Sequence, residues 1–165
     1  MTRLARANVA MAAAVLLLAL IARLEPGREP APTLAALTDV PAQSVRGVRL
    51  FDGNGLVLAL ERVGAHWELT APAPGPADGA RVERLLGLLG TPSLRNIGRV
   101  EGRLAEFGLD PPELIAEFDG IPVAFGGLDP VSRQRYVSYG GEVHLIGDGY
   151  RHHLLAGPEG FRAAR

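Results

Sequence analysis

The chain has 165 residues, a formal net charge of −1, 17 basic side chains that are all arginine, and no cysteine. Without cysteine there is no disulfide framework, no thiolate zinc site, no thiol nucleophile and no lipoprotein acylation site. A near-zero charge with arginines scattered along the chain argues against nucleic acid as a partner, and the length suits one small domain.

The first element is an unbroken apolar run from Val9 to Ala22, with Arg3 and Arg6 before it and Arg23 after. A bilayer core takes about 20 helical residues to cross. The run reaches that length only if Arg6 and Arg23 snorkel toward the headgroups and bring Leu4 and Leu24 into the apolar stretch. A cleavable signal would want small residues at −3 and −1 of the cut. Ala22 suits −1, but Leu20 then falls at −3, and Arg23 and Glu25 follow at once. The expectation is an uncleaved transmembrane helix, with residues 1–23 forming a cytoplasmic tail and membrane anchor. The arginines at the N-terminus place that end in the cytoplasm. The remainder is then periplasmic, on a single-pass protein of a bacterial inner membrane.

Residues 24–44 carry Pro26, Pro30, Pro32 and Pro41 and read as a Pro-rich linker, with at most a turn of helix at Thr33 to Leu37. Residues 45–157 carry the pattern of a folded domain, and residues 158–165 are expected to form a C-terminal tail. Val48 and Leu50 alternate with Arg49, and Leu56, Leu58 and Leu60 alternate with Val57 and Ala59. Asp52-Gly53-Asn54-Gly55 between them is a hairpin turn. Gly64-Ala65 turns into a third strand in which Trp67 and Leu69 share a face. After Pro72, Pro74 and Pro76, Asp78 is placed as a helix N-cap. Val82, Leu85, Leu86 and Leu89 follow at the spacing of one buried stripe, and Gly90 and Pro92 end the helix.

In the second half, Phe118-Asp119-Gly120-Ile121 joins LIAEF to IPVAF, and Gly140-Gly141-Glu142 joins Tyr136–Tyr139 to Val143–Ile146. Asp148 is placed as the cap of a last helix carrying Tyr150 and Leu154, stopped by Gly157-Pro158. Leu50–Leu60 and Glu117–Phe125 align as strand, Phe-Asp-Gly, strand, which points to a duplicated βββα unit. Between the halves, Gly108 sits where a helix ends in a left-handed residue, with Leu109 placed against Leu104 and two prolines preventing continuation. The predicted fold is α+β: antiparallel strand meanders with two or three helices packed on one face, preceded by the transmembrane helix.

This order of pieces resembles a known family. A meander ending in Trp67-Glu68-Leu69 leads through a Pro-rich turn to an Ala-Asp helix start. FGLDPP (Phe107 to Pro112), two hairpin strands, the pair Gly126-Gly127, Arg135-Tyr136-Val137 and a final Val-His-Leu-Ile strand follow. Over roughly residues 45 to 150 the chain resembles the bacterial family known as domain of unknown function 4340. The resemblance implies a membrane-anchored extracytoplasmic protein, some of whose kin stand beside gliding-motility-type ABC transporter components. It transfers no catalytic residues. Many members look longer, with more copies of the module, so a single copy favours work with a protein partner.

Signatures of chemistry are few. A phosphate-binding G-x-x-x-x-G-K-[ST] loop is impossible without lysine, and Gly53-x-Gly55 leads into a strand rather than a helix. Gly147-Asp148-Gly149 reads as a plain cap. His66 and His144 alternate with apolar strand residues and are expected to face solvent; His152 and His153 are neighbours pointing to different helix faces. Ser132, His144 and Asp148 form a triad only on paper, and Glu113 and Glu117 read as exposed strand charges. The stretch Gly126 to Gln134 reads as a long connection, and long connections are disproportionately functional. Arg133, Arg135 and Tyr136 are therefore the candidate partner-contact residues. No catalytic, metal or cofactor-binding residue is expected. The sequence points to a non-catalytic accessory protein of a transport or cell-envelope complex, with the inner membrane and a protein as partners. A secreted periplasmic ligand-binding module and an unrecognised hydrolase are the alternatives.

Overall fold

In a computed structural model, residues 3–24 and 34–164 are described. They fall into two units, each treated separately below: an N-terminal helix and a folded body beginning at Leu34. The helix, α1, spans Arg3–Leu24. Its described side chains beyond Asn8 run from Met11 to Leu20 and are exposed, about half of the length a crossing takes. No helix among the described residues is long and apolar enough to cross a membrane.

The body is α+β, built on one antiparallel sheet of nine strands. The strands are β1 (Gly47–Asp52), β2 (Gly55–Val63), β3 (His66–Ala71), β4 (Gly75–Pro76), β5 (Arg95–Gly98), β6 (Leu114–Phe118), β7 (Ile121–Leu128), β8 (Arg135–Tyr139) and β9 (Glu142–Ile146). Their order across the sheet is β4-β3-β2-β1-β6-β7-β8-β9-β5. Two meanders thus meet back to back, with β1 against β6 and Val48 opposite Phe118. Turn chemistry sets the hairpins. Asp119 and Gly120 take φ of 51° and 85°, and Gly140 and Gly141 take 60° and 81°, the paired positive values that match the twist of a tight hairpin. Asp119 also reaches back, its carboxylate accepting from the N–H groups of Arg46 and Gly47, which ties the second hairpin to the start of β1.

One face of the sheet carries the core: Val48, Leu50, Leu58, Leu60, Trp67, Leu69, Leu114, Ala116, Phe118, Val123, Phe125, Val137 and Ile146. Helix α2 (Gly79–Leu86) covers it. Asp78 caps α2, accepting from Ala80 N–H at 3.0 Å and Arg81 N–H at 3.2 Å. The predicted stripe of Val82, Leu85, Leu86 and Leu89 is buried, its last member in a 3₁₀ turn that ends at Gly90. Leu154 of α3 (Arg151–Leu154) joins the same cluster. Leu56 departs from expectation and is exposed. The β1–β2 register shifts by one residue between Leu50 and Phe51, pairing Phe51 with Leu56. That bulge turns Leu56 away while Val57 packs on the core.

Both ends of the body extend past the boundaries expected from composition. Leu37 is 2% exposed in the core, and its N–H donates to Thr91 O at 2.7 Å. Ser93 N–H donates to Ala35 O at 2.8 Å, and Thr38 bonds Leu89 O through both backbone and hydroxyl. The last part of the Pro-rich stretch is thus a strap stitched onto the body, because one leucine among prolines suffices to fill a core site. Residues Glu25 to Thr33 lie outside the described residues. At the other end, α3 has ended at Leu154 before Gly157-Pro158, and these two residues open a further helical turn, α4 (Gly157–Gly160). Phe161 beyond it is 1% exposed, and Ala77 bridges to Arg162. Residues 158–164 are part of the fold.

Candidate functional site

The pieces that carried the family resemblance converge in space. Leu104–Phe107 is a 3₁₀ turn closed by Gly108 at φ 66°, with Leu109 N–H donating to Leu104 O at 3.0 Å. This chain reversal lies directly on Gly126-Gly127, the bulge where the β7–β8 register shifts. A Cβ on Gly126 would collide with Phe107 O and stand 2.9 Å from Leu109 Cγ; one on Gly108 would stand 2.7 Å from Gly127 N. Backbone meets backbone here, and only glycine permits it. The Phe107 ring then packs edge-on against Tyr136, centroids 5.0 Å apart. FGLDPP, the glycine pair and the Arg-Tyr-Val strand are one packing unit.

Arg135, expected at a contact surface, is instead buried, with 5% of its side chain exposed. Arginine alternates with Val137 on the core face of β8, and it is tolerated there because its charge is paired and Nε and Nη1 find acceptors. Nε pairs with Asp148, and Nη1 bonds Glu113 at 3.0 Å and the Gly126 carbonyl. Arg151 approaches Glu113 at 3.7 Å. Asp148 therefore serves Arg135 and not a helix N-terminus. Glu113 stands just before β6 and is engaged.

Tyr136 lies on the opposite face, half-buried, its hydroxyl donating to Asp129 at 2.6 Å. The connection is shorter than composition suggested, because β7 runs on through Leu128; only Asp129 to Gln134 link the strands. Asp129 organises it, accepting from Ser132 N–H at 2.7 Å, Ser132 Oγ at 2.9 Å and Val131 N–H at 3.1 Å. The Ser132 N–H, then the Tyr136 and Ser132 hydroxyls, hold the Asp129 carboxyl down at about 2. Arg133 remains exposed, at φ 58°. Of the three candidates, then, Arg135 is a buried clamp, Tyr136 a packed brace, and Arg133 alone faces solvent.

The paper triad is dispersed: Ser132 bonds Asp129, Asp148 pairs with Arg135, and His144 bonds Ser93. His66 is exposed as expected, whereas His144 is 7% exposed. It sits opposite Val137 on the core face of β9, and the strap and Ser93 close over that end of the sheet. Burial, outweighing the nearby Glu142, pulls its pKa below the usual histidine value. Ser93 Oγ and His144 Nδ1 are 2.9 Å apart, and Nε2 has no partner among the described residues. A serine nucleophile needs a base that a third group orients. Here no third group bonds Nε2 among the described residues.

Ser93 and His144 line an open groove of about 730 Å³ between the strap and the β8–β9 turn. Across it, Tyr139 donates to Asp39 at 2.6 Å and Asn96 to Glu142 at 2.8 Å. The Tyr139 bond lowers the Asp39 carboxyl and raises the phenol. Sequence reasoning did not find this cluster. Its partners come from the presumed linker, from a short edge strand and from a hairpin end, and no local spacing relates them. No group of three or more metal-ligating side chains occurs among the described residues. No protein-family model, curated protein or solved structure matches the chain.

Proposed function

We propose that this is a non-catalytic, single-pass, membrane-anchored accessory protein of a transport or cell-envelope complex, with its folded body on the periplasmic side of a bacterial inner membrane. The observation that carries this reading is α1. Met11, Val15, Leu16, Leu17, Leu18 and Leu20 are each more than half exposed, a contiguous apolar surface that water penalises and lipid would cover. In sequence the run continues to Val9 and Ala22, with arginine at both borders.

The non-catalytic part is supported by how the charged groups are spent. Arg135 and Asp129 are engaged by the protein itself, and the Ser93–His144 pair lacks an orienting group among the described residues. The resemblance to domain of unknown function 4340 supports the same address and a protein partner. The symmetric meeting of two Phe-Asp-Gly hairpin units at β1 and β6 fits a duplicated ancestor.

Alkaline phosphatase fused after Arg165 tests the reading. The fusion should be active, should stay with membranes through alkaline carbonate, and should keep Met1 by mass spectrometry. Activity of a cytosolic reporter alone at that position would overturn the location. A mature start after Ala22 or Ala35, with release from membranes, would replace the anchor by the secreted ligand-binding module, which the groove favours. Hydrolysis of a generic ester, phosphate or glycan by the purified protein, lost on one substitution, would overturn the non-catalytic part.

A further inference from the structure

We propose that the groove between the Ala35–Asp39 strap and the β8–β9 turn is a saccharide-binding site, an inference that does not depend on the fate of the N-terminal helix. Its size, about 730 Å³, falls within the range of about 300 to 1,000 Å³ typical of small-ligand sites. Its chemistry is acceptor-rich and pre-oriented. Asp39 is held by the Tyr139 hydroxyl and Glu142 by the Asn96 amide, and an ionised carboxylate has about four lone-pair sites. Each therefore keeps capacity for a donor from outside.

The occupant must supply donors, and three further features make them hydroxyls. First, Arg95 lines the same groove as the two carboxylates. That offsets part of their charge and would repel an ammonium or guanidinium group, while the carboxylates repel an anion. Second, Ser93 lines the groove with its hydroxyl 2.9 Å from His144 Nδ1, and a serine hydroxyl that donates to the imidazole keeps lone pairs for a donor from outside. Third, Leu94 stands exposed among the polar groups, giving the C–H face of a sugar ring an apolar surface. Because the strap forms one wall, an occupied groove also pins the strap.

The full-length protein, in a sugar-free zwitterionic detergent, is titrated with chitotriose, maltotriose and arginine amide by calorimetry, with saturation-transfer NMR as a second readout. Saturable binding of at least one trisaccharide is expected. Ser93→Ala and Glu142→Gln should each weaken it about tenfold, and Arg133→Ala should leave it unchanged. Unchanged thermal melting of the variants separates loss of binding from loss of fold. The proposal fails if neither trisaccharide binds saturably at millimolar concentration, if the two groove variants bind as well as the parent, or if arginine amide binds more tightly than the sugars.

Discussion

The body holds two polar clusters built on opposite terms. Around Arg135 the chain uses up its own charge: a buried guanidinium meets Asp148, Glu113 and a carbonyl, beside a contact where Phe107-Gly108-Leu109 and Gly126-Gly127 touch through their backbones. Around Ser93 and His144 the groups are only half used, with lone pairs of Asp39 and Glu142 left over. A saturated network rigidifies, and breaking one member leaves the others stranded. A half-used one contributes little to folding and keeps its capacity for something else. The cluster with the sequence signature is thus the architectural one, and the cluster without a signature is the one open to a ligand.

Substitutions should separate the two in order of effect. Arg135→Met removes the clamp and strands Asp148; the cost is expected to be about 3 kcal/mol, the low end for a broken buried pair because both carboxylates still reach water. Urea unfolding measures it, and a loss below that of Ser93→Ala would erase the distinction drawn here. Gly126→Ala forces a Cβ into Phe107 O, so about 2 kcal/mol should be lost, read as an earlier melting transition.

The pH dependence comes from the groove side. Burial lowers the His144 pKa in the folded state below its ordinary 6.5, so the unfolded chain binds the proton more readily. The stabilising contribution of neutral His144 is therefore complete above about 6.5 and is lost as pH falls toward the folded value. The parent should lose more melting temperature between pH 7.5 and 5.5 than His144→Gln does. Smallest is Arg133→Gly, at a left-handed position where a side chain is strained. Relief of strain and the entropy of glycine nearly cancel there, so stability should move by no more than about 0.5 kcal/mol.

Local physics was legible wherever neighbours in sequence are neighbours in space. The Phe-Asp-Gly and Gly-Gly turns, the Asp78 cap, the Val82 to Leu89 stripe and the Gly108 reversal all follow from residue types within a few positions. What escaped depends on distance. Arg135 has the composition of a surface residue, and acceptors supplied thirteen positions later and twenty-two positions earlier make its burial tolerable. His144 alternates as a solvent-facing strand residue should. It is buried because the strap and Ser93, from fifty-one positions away, cover that end of the sheet. The Asp39–Tyr139 bond spans a hundred positions, beyond any periodicity. The register shift that exposes Leu56 is likewise a property of the pair β1–β2 and not of either strand.

The strap sets where the chain tolerates being severed. A protease acting before Leu34 would free a body whose Leu37 is still seated among Val45, Leu89 and their neighbours. A cut after Leu37 would remove that plug, leaving a leucine-sized void and unsealing the carbonyl of Thr91. Shedding can be clean on one side of Leu34 and ruinous a few residues beyond.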